Sequence, residues 1–174
     1  MLHEVLKFGY VPYVSRMIDI GSGTGYILIA AAATAQFQFL HGIDVVIDRV
    51  QLANNILQNP EFKCLRGGSY NMITYSAFKV ENMAELAYLG HGSKVHYFTH
   101  IYCWNAVFSE DSNEALCKLL RDPRSQWKVL ACSFKPASLI AEDVPIAGGY
   151  TLLPISQRAS GEGHTMYIYR RRGT

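Results

Sequence analysis

The chain has 174 residues, close to the usual size of one domain. Hydrophobic residues make up 49% and charged residues 17%, which excludes a self-repelling disordered chain, and 14 Gly with 6 Pro excludes collagen-like or low-complexity classes. Sixteen basic against fourteen acidic residues leave a net charge of +2, too small for nucleic-acid binding by overall field alone, so a polyanionic partner needs a local patch.

Leu2, Val5, Leu6 and Phe8 open the chain in near-helical spacing, which leads us to expect no leader in this stretch. Arg16 to Ile20 is a short apolar run that predicts a strand, and it enters Gly21, Ser22, Gly23, Thr24 and Gly25 directly. A helix is expected from Thr24 to about Phe37. Its apolar stretch, Tyr26 to Ala35, is far shorter than the roughly 20 residues that span a bilayer and reads as a buried helix with no membrane role. His41 to Val46 reads as a second strand ending at Asp44, completing a βαβ unit.

Asp48 to Leu57 sets Val50, Leu52, Ala53, Ile56 and Leu57 on one helical face and is stopped by Asn59 and Pro60. Cys64 to Ser76 reads as a loop, followed by a strand from Ser76 to Val80 that Asn82 and Met83 end. Val95 to Cys103 is rich in β-branched and aromatic residues and predicts a strand, and the helix after Trp104 to Phe108 is capped by Ser109 or Ser112. Trp127 to Phe134 is the next strand. Gly148 to Ile155 and Thr165 to Arg170, joined through Gly161, Glu162 and Gly163, form an antiparallel hairpin. Alternating strands and helices with a terminal hairpin give an α/β, mostly parallel, helix-covered sheet.

In open α/β sheets ligands sit beyond the carboxyl ends of the strands, where a glycine turn lets them approach backbone. Tyr26 stands where the third glycine of a dinucleotide fingerprint belongs, and no phosphate-cradling G-x-x-x-x-G-K-[ST] is present. Asp19 ahead of Gly21 repels phosphate but suits the amino group or sulfonium of S-adenosylmethionine. Asp44, ending the second strand, is placed to accept hydrogen bonds from ribose hydroxyls. The cofactor set is thus Asp19, Gly21, Ser22, Gly23, Gly25 and Asp44, with Asn82 and Met83 serving the adenine edge and face, and with Asn105, where the cofactor and acceptor readings meet, also counted in it. The plainer alternative is that Asp19 organises the turn, Asp44 caps a helix, Asn82 is a loop residue and Met83 is core.

Asn105 and Phe108 form an N-x-x-aromatic pattern after the strand ending at Cys103. A carboxamide oxygen can aim an amine lone pair at a methyl sulfonium while an aromatic face stabilises the developing cation. Equally, Asn105 can be a turn residue and Phe108 core.

Ile18-Asp19-Ile20-Gly21-Ser22-Gly23-Thr24-Gly25, Gly42-Ile43-Asp44, Tyr102 to Phe108, Ser133-Phe134-Lys135-Pro136 and Gly163 to Tyr169 together resemble the Dot-one (disruptor of telomeric silencing) family of non-SET histone lysine methyltransferases. The resemblance covers most of the chain. It implies a Rossmann-like seven-stranded methyltransferase fold in a single catalytic domain, 1–174, and S-adenosylmethionine as cofactor with S-adenosylhomocysteine as product. It further implies a lysine in the core of histone H3 on nucleosomes as acceptor, and a nuclear location. Trp104 replaces the first Asn of the family's pair and Ala106 the following Phe, so the catalytic carry-over rests on Asn105 and Phe108. Tyr167, or Met166 beside it, matches the tyrosine of the family's last strand near the lysine channel. The family's upstream lid, with its Tyr-Gly-Glu motif, does not precede Met1, which leads us to expect a fragment lacking that lid.

Other readings stay open: a silent cofactor-binding module, or an N-methyltransferase acting on another protein, on nucleic acid or on a small amine. His96 and His100 are four apart on a strand, which does not make a metal site. Arg170, Arg171 and Arg172 form a basic tail able to touch DNA or a histone surface. Cys64, Cys103, Cys117 and Cys132 are scattered, as expected of an intracellular, reducing environment.

Overall fold

The computed structural model describes residues 2–65, 73–79, 97–156 and 163–173. The first strand, β1 (Arg16–Ile20), is buried from Met17 onward on both faces, as a central strand of a parallel sheet must be. It begins and ends where the apolar run predicts. Parallel partners flank it, β2 (Phe39–Asp44) on one side and β4 (His100–Cys103) on the other. With β3 (Ile73–Ala77), β5 (Val129–Cys132), β6 (Ile146–Ser156) and β7 (Gly163–Arg171) the sheet has seven strands in the order β3-β2-β1-β4-β5-β7-β6. β7 runs antiparallel to both β5 and β6, which gives the expected parallel sheet with a terminal hairpin. A register shift between Ile146 and Tyr150 carries Gly148 and Gly149 out of the ladder.

Two apolar layers cover the sheet. Helices α1 (Leu2–Leu6), α2 (Tyr26–Thr34) and α3 (Ile47–Gln58) bury Val5, Leu28, Ile29, Ala31, Ala32, Val50 and Ala53 against Met17, Leu40 and Ile168. On the other face α4 (Glu110–Arg121) and α5 (Pro136–Ala141) bury Leu116, Leu119, Leu120 and Leu139 against Ile18, Ile43, Ile101 and Leu130. No helix among the described residues is long and apolar enough to cross a membrane.

Where bounds differ from expectation, local contacts explain it. α2 stops at Thr34, short of the expected Phe37, because Phe37 leaves the helix to pack edge-on against Tyr10 and His100. β2 spans Phe39–Asp44, starting before the expected His41, and it stops at Asp44 because Val45 and Val46 turn outward to solvent. The third strand is Ile73–Ala77 and not Ser76 to Val80: Ile73 and Tyr75 point inward in register with Leu40 and Gly42. Of the strand expected from Val95, only His100–Cys103 is in the ladder, and Val95 and His96 lie outside the described residues, as does Val80. β5 is shorter than Trp127 to Phe134. Trp127 is core, donating its Nε1–H to Leu120 O at 2.9 Å, while Lys135 and Pro136 start α5, a helix the sequence reading did not anticipate.

Candidate cofactor site

The connection after β1 leads to β2 on one side and that after β4 to β5 on the other, so a crevice opens at their carboxyl ends. The glycine turn forms its floor. Gly21 and Ser22 donate their N–H groups to Ile43 O at 2.8 and 2.9 Å, which ties the turn to β2. Tyr75 reaches under it from β3: its hydroxyl donates to Gly25 O at 2.8 Å, and its ring lies where a Cβ on Gly25 or on Gly42 would go. Gly25 also has φ +84°, so a side chain there meets both strain and overlap. Tyr75 thus accounts for two glycines in the sequence, one 50 residues and one 33 residues away.

Asp44 closes the turn from above. Its Oδ2 accepts the Gly23 N–H at 2.9 Å and its Oδ1 the Val46 N–H at 2.8 Å. A carboxylate has about four lone-pair directions, so capacity remains for two hydroxyl donors. Asp19 behaves in the opposite way. It is buried at 1% exposure, neither oxygen has a hydrogen-bond partner in the structure, and burial, helped by the nearby Asp44 charge, pushes its carboxyl up to about 8. Ser22 Oγ beside it is likewise buried and unpartnered. Buried polar atoms without partners are rare and cost about 1–3 kcal/mol each.

A cavity of about 420 Å³ opens beside this turn, lined by Gly21, Asp44, Val45, Phe78, Trp104 and Phe108 among others. Phe108 brings the two sequence constellations together, since its ring edge lies 3.1 Å from where a Cβ on Gly21 would sit. Asn105 is buried beneath this wall with both the oxygen and the nitrogen of its carboxamide hydrogen-bonded. Oδ1 accepts from Ser133 N–H at 2.9 Å and Ser133 Oγ–H at 2.7 Å, and Nδ2–H donates to Asn113 Oδ1 at 2.9 Å. It thereby joins the ends of β4 and β5 to α4.

Tyr167 pairs with Cys132 and stacks on Tyr169 at 6.0 Å, close to Tyr150 as well, but does not line the cavity; Met166 is core. Asn82 and Met83 lie outside the described residues. His100 is held between Thr99 Oγ1 and Phe8 O, while its expected companion His96 is also outside them. The sequence reading missed Tyr75, Val45, Phe78, Ser133 and Arg49, the last an exposed cation at the cavity mouth. A signal existed only for Tyr75, in the glycines it demands.

The residues fit a cationic nucleoside cofactor. Asp19 offers an orphaned buried carboxyl, Asp44 spare acceptor capacity, and the turn an open backbone at Gly23, where nothing lies within 4 Å of an added Cβ.

The architecture is that of the class I S-adenosylmethionine-dependent methyltransferases. The methyltransferase domain of bacterial CtHen1 aligns over 97% of this chain and 95% of its own, with TM-score 0.64 and 14% identity. TrmK of M. capricolum, in complex with S-adenosylhomocysteine, aligns over 98% of this chain and 67% of its own, with TM-score 0.61 and 9% identity. An rRNA methylase from Streptococcus thermophilus covers 98% and 94%, with TM-score 0.61 and 13% identity. No protein-family model matches the sequence, and no curated protein does.

Proposed function

We propose that the chain is an S-adenosylmethionine-dependent N-methyltransferase. The observation that carries this reading is the unpartnered buried carboxyl of Asp19 beside the glycine turn and Asp44. When bound, S-adenosylmethionine supplies an electrophilic methyl group and leaves as S-adenosylhomocysteine. Asp44 keeps acceptor capacity for ribose hydroxyls, the Gly21–Gly25 backbone allows close approach, and Asp19 gives a cation its counter-charge; Asn82 and Met83 are assigned to adenine. Phe108 and Tyr167 are assigned to the acceptor channel, whose apolar walls exclude water and lower the pKa of an entering amine so that its lone pair is free. Asn105 holds the loop that carries Phe108, its Oδ1 accepting from Ser133, and is assigned to positioning the amine.

For the acceptor we propose a protein lysine, in the core of histone H3 on nucleosomes, from the resemblance to the Dot-one family; that substrate would place the activity in the nucleus. A nucleic-acid nitrogen is the second reading, favoured by structural neighbours described as rRNA and tRNA methyltransferases.

Calorimetry with S-adenosylhomocysteine on wild type and Asp44→Ala tests the cofactor assignment. Affinity should fall at least about 30-fold, because Asp44 both accepts ligand hydroxyls and orders the Gly23 and Val46 amides. Equal affinity refutes the ribose role. Methyl-label transfer to nucleosomes, free histones, RNA and DNA in parallel then separates the acceptors, and tight binding without transfer to any of them identifies a silent module.

A further inference from the structure

The end of the sheet opposite the glycine turn carries a row of basic side chains. Arg16 opens β1, Lys128 immediately precedes β5, Arg170 lies at the end of β7 and Arg172 immediately follows it. The backbone fixes their order. Lys128 N–H donates to Thr99 O at 2.8 Å, Arg171 N–H to Lys128 O at 2.9 Å, and Arg172 N–H to Pro145 O at 2.8 Å. Three strand spacings of roughly 4.8 Å each separate Arg16 on β1 from Arg170 and Arg172 at the end of β7, so the row is about 14 Å long.

Lys128, Arg170 and Arg172 are exposed, and none of the four cations makes an ion pair among the described residues. Arg16 lies over the Tyr97 ring at 5.6 Å and Arg170 over Phe8 at 5.1 Å. Both guanidiniums are therefore braced by an aromatic face. Arg171 is excluded from the row, because it bonds Ser125 O and Asp122 O and covers Trp127.

Apolar groups flank the cations. Beside Arg16 the turn at 11–15 exposes Val11, Tyr13 and Val14, with Tyr13 at 66%. Tyr13 has φ 60°, an uncommon conformation for a bulky residue, and its N–H is anchored to Gln36 O at 2.6 Å with the ring left in solvent. At the other end a cavity of about 250 Å³ is lined by Phe8, Tyr150, Thr151 and Arg170.

We propose that this floor binds single-stranded nucleic acid, with phosphates on Arg16, Lys128, Arg170 and Arg172 and an unpaired base stacked on Tyr13. Cations supply sequence-independent affinity and aromatic faces hold bases whatever their identity. A duplex presents phosphates but no free base faces, which leaves the exposed Val11, Tyr13 and Val14 without a partner. The surface lies roughly 16 Å of strand away from the glycine turn, and the proposal stands whether or not methyl transfer is the reaction.

Fluorescence anisotropy with a labelled oligouridylate, an RNA duplex of equal length, and flotation with phosphatidylserine vesicles tests it. Four phosphate contacts predict a log–log salt slope of about −2.8, or roughly 50-fold weaker single-strand binding at 200 mM than at 50 mM salt. Lys128→Glu with Arg170→Glu should at least halve that slope. Tyr13→Asn, which tolerates the same backbone, should weaken the single strand by about tenfold and leave the slope unchanged. Lys135→Glu, at the far end of β5, should change neither, and melting temperatures confirm that each variant is folded. Wild-type binding by the double charge reversal, tighter binding of the duplex, binding to vesicles alone, or no binding at 50 mM salt each overturns the proposal.

Discussion

The turn after β1 and the turn after β4 lie side by side at the carboxyl end of the sheet, with Phe108 of one against Gly21 of the other. Their polar groups are treated in opposite ways. Around Asn105 every carboxamide atom is bonded within the protein, to Ser133 and Asn113. Around Asp19 two carboxylate oxygens and the Ser22 hydroxyl are buried with no partner. A saturated cluster is a joint: it fixes β4, β5 and α4 relative to one another. An unsaturated one is a vacancy in the hydrogen-bond count that folding alone leaves costly, and a ligand of the right charge relieves it. The comparison marks the second turn as a rigid joint and supports the proposal that the first one binds.

The largest destabilisation expected of a single substitution is on the first turn's scaffold. Gly25→Ala adds a left-handed strain of about 1–2 kcal/mol and an overlap with Tyr75 costing about 1–3 kcal/mol, and it endangers the Tyr75 to Gly25 O bond. About 4 kcal/mol of destabilisation should appear in chemical denaturation. Pairing it with Tyr75→Val should recover the overlap part but not the strain, and strict additivity would show that Tyr75 is not the obstacle.

Asp19 breaks the comparison from the other side. Its folded carboxyl sits at about 8 against an ordinary 3.8, so its contribution to stability is complete below about pH 4 and is lost as pH rises toward 8, on the order of 5 kcal/mol in all. Buried His41 and His100, both lowered by burial to about 4, act oppositely and cost stability as pH falls from 6.5 toward 4. The ligand-free protein should therefore be less stable toward both ends of this range. Asp19→Asn should remove the alkaline loss and keep the acid one. Cation binding beside Asp19 favours its carboxylate, so cofactor binding at pH 7 should release a proton, read as calorimetric heats that differ between buffers of different ionisation enthalpy. Buffer-independent heats refute the pairing of Asp19 with a cation.

What the sequence disclosed follows the range of the interactions. The bounds of β1, the run of glycines after it and a cap at Ser109 or Ser112 are marked by adjacent residues and are readable, whereas the bond that ties Asp44 to Gly23 spans 21 residues. Asn105 was readable as a residue of interest but not as a joint, because its partner Ser133 is 28 residues away and nothing local marks the pair. The sequence alone places β3 three residues late, for a similar reason. Its register is set by Leu40 and Gly42 across the sheet, while its own sequence, after Gly67 and Gly68, has the composition of a loop. α5 follows a strand end and has only six residues, too short for periodicity to register. The Asp19 vacancy could be suspected from charge, yet its lack of any partner is a property of the packed core.

A smaller effect sharpens the second turn's role. Asn105→Ala orphans the Ser133 N–H in a half-buried place and should cost about 2 kcal/mol, with the cofactor dissociation constant changed by less than about threefold. Turnover per folded molecule is the deciding readout. A fall well beyond the change in cofactor affinity assigns Asn105 a positioning role toward the acceptor, whereas wild-type turnover leaves it a joint only.

The smallest expected effect is at Ser109, which lines the cavity and also caps α4, its Oγ accepting the Ser112 N–H at 3.2 Å. The cap has a known scale: Ser→Ala costs about 1 kcal/mol and Ser→Gly only a few tenths, because glycine lets water reach the freed amides. Ser109→Ala should thus lower the melting temperature by a few degrees and Ser109→Gly should scarcely move it, a difference that identifies capping and not mere bulk. Because the unpartnered groups are on Asp19 and Ser22, which do not line the cavity with Ser109, neither variant should alter cofactor affinity beyond about twofold. If Ser109→Ala instead weakens the cofactor about tenfold while Ser109→Gly does the same without loss of stability, the hydroxyl binds ligand, and the division of labour between the two turns extends one residue further into α4 than their hydrogen bonds indicate.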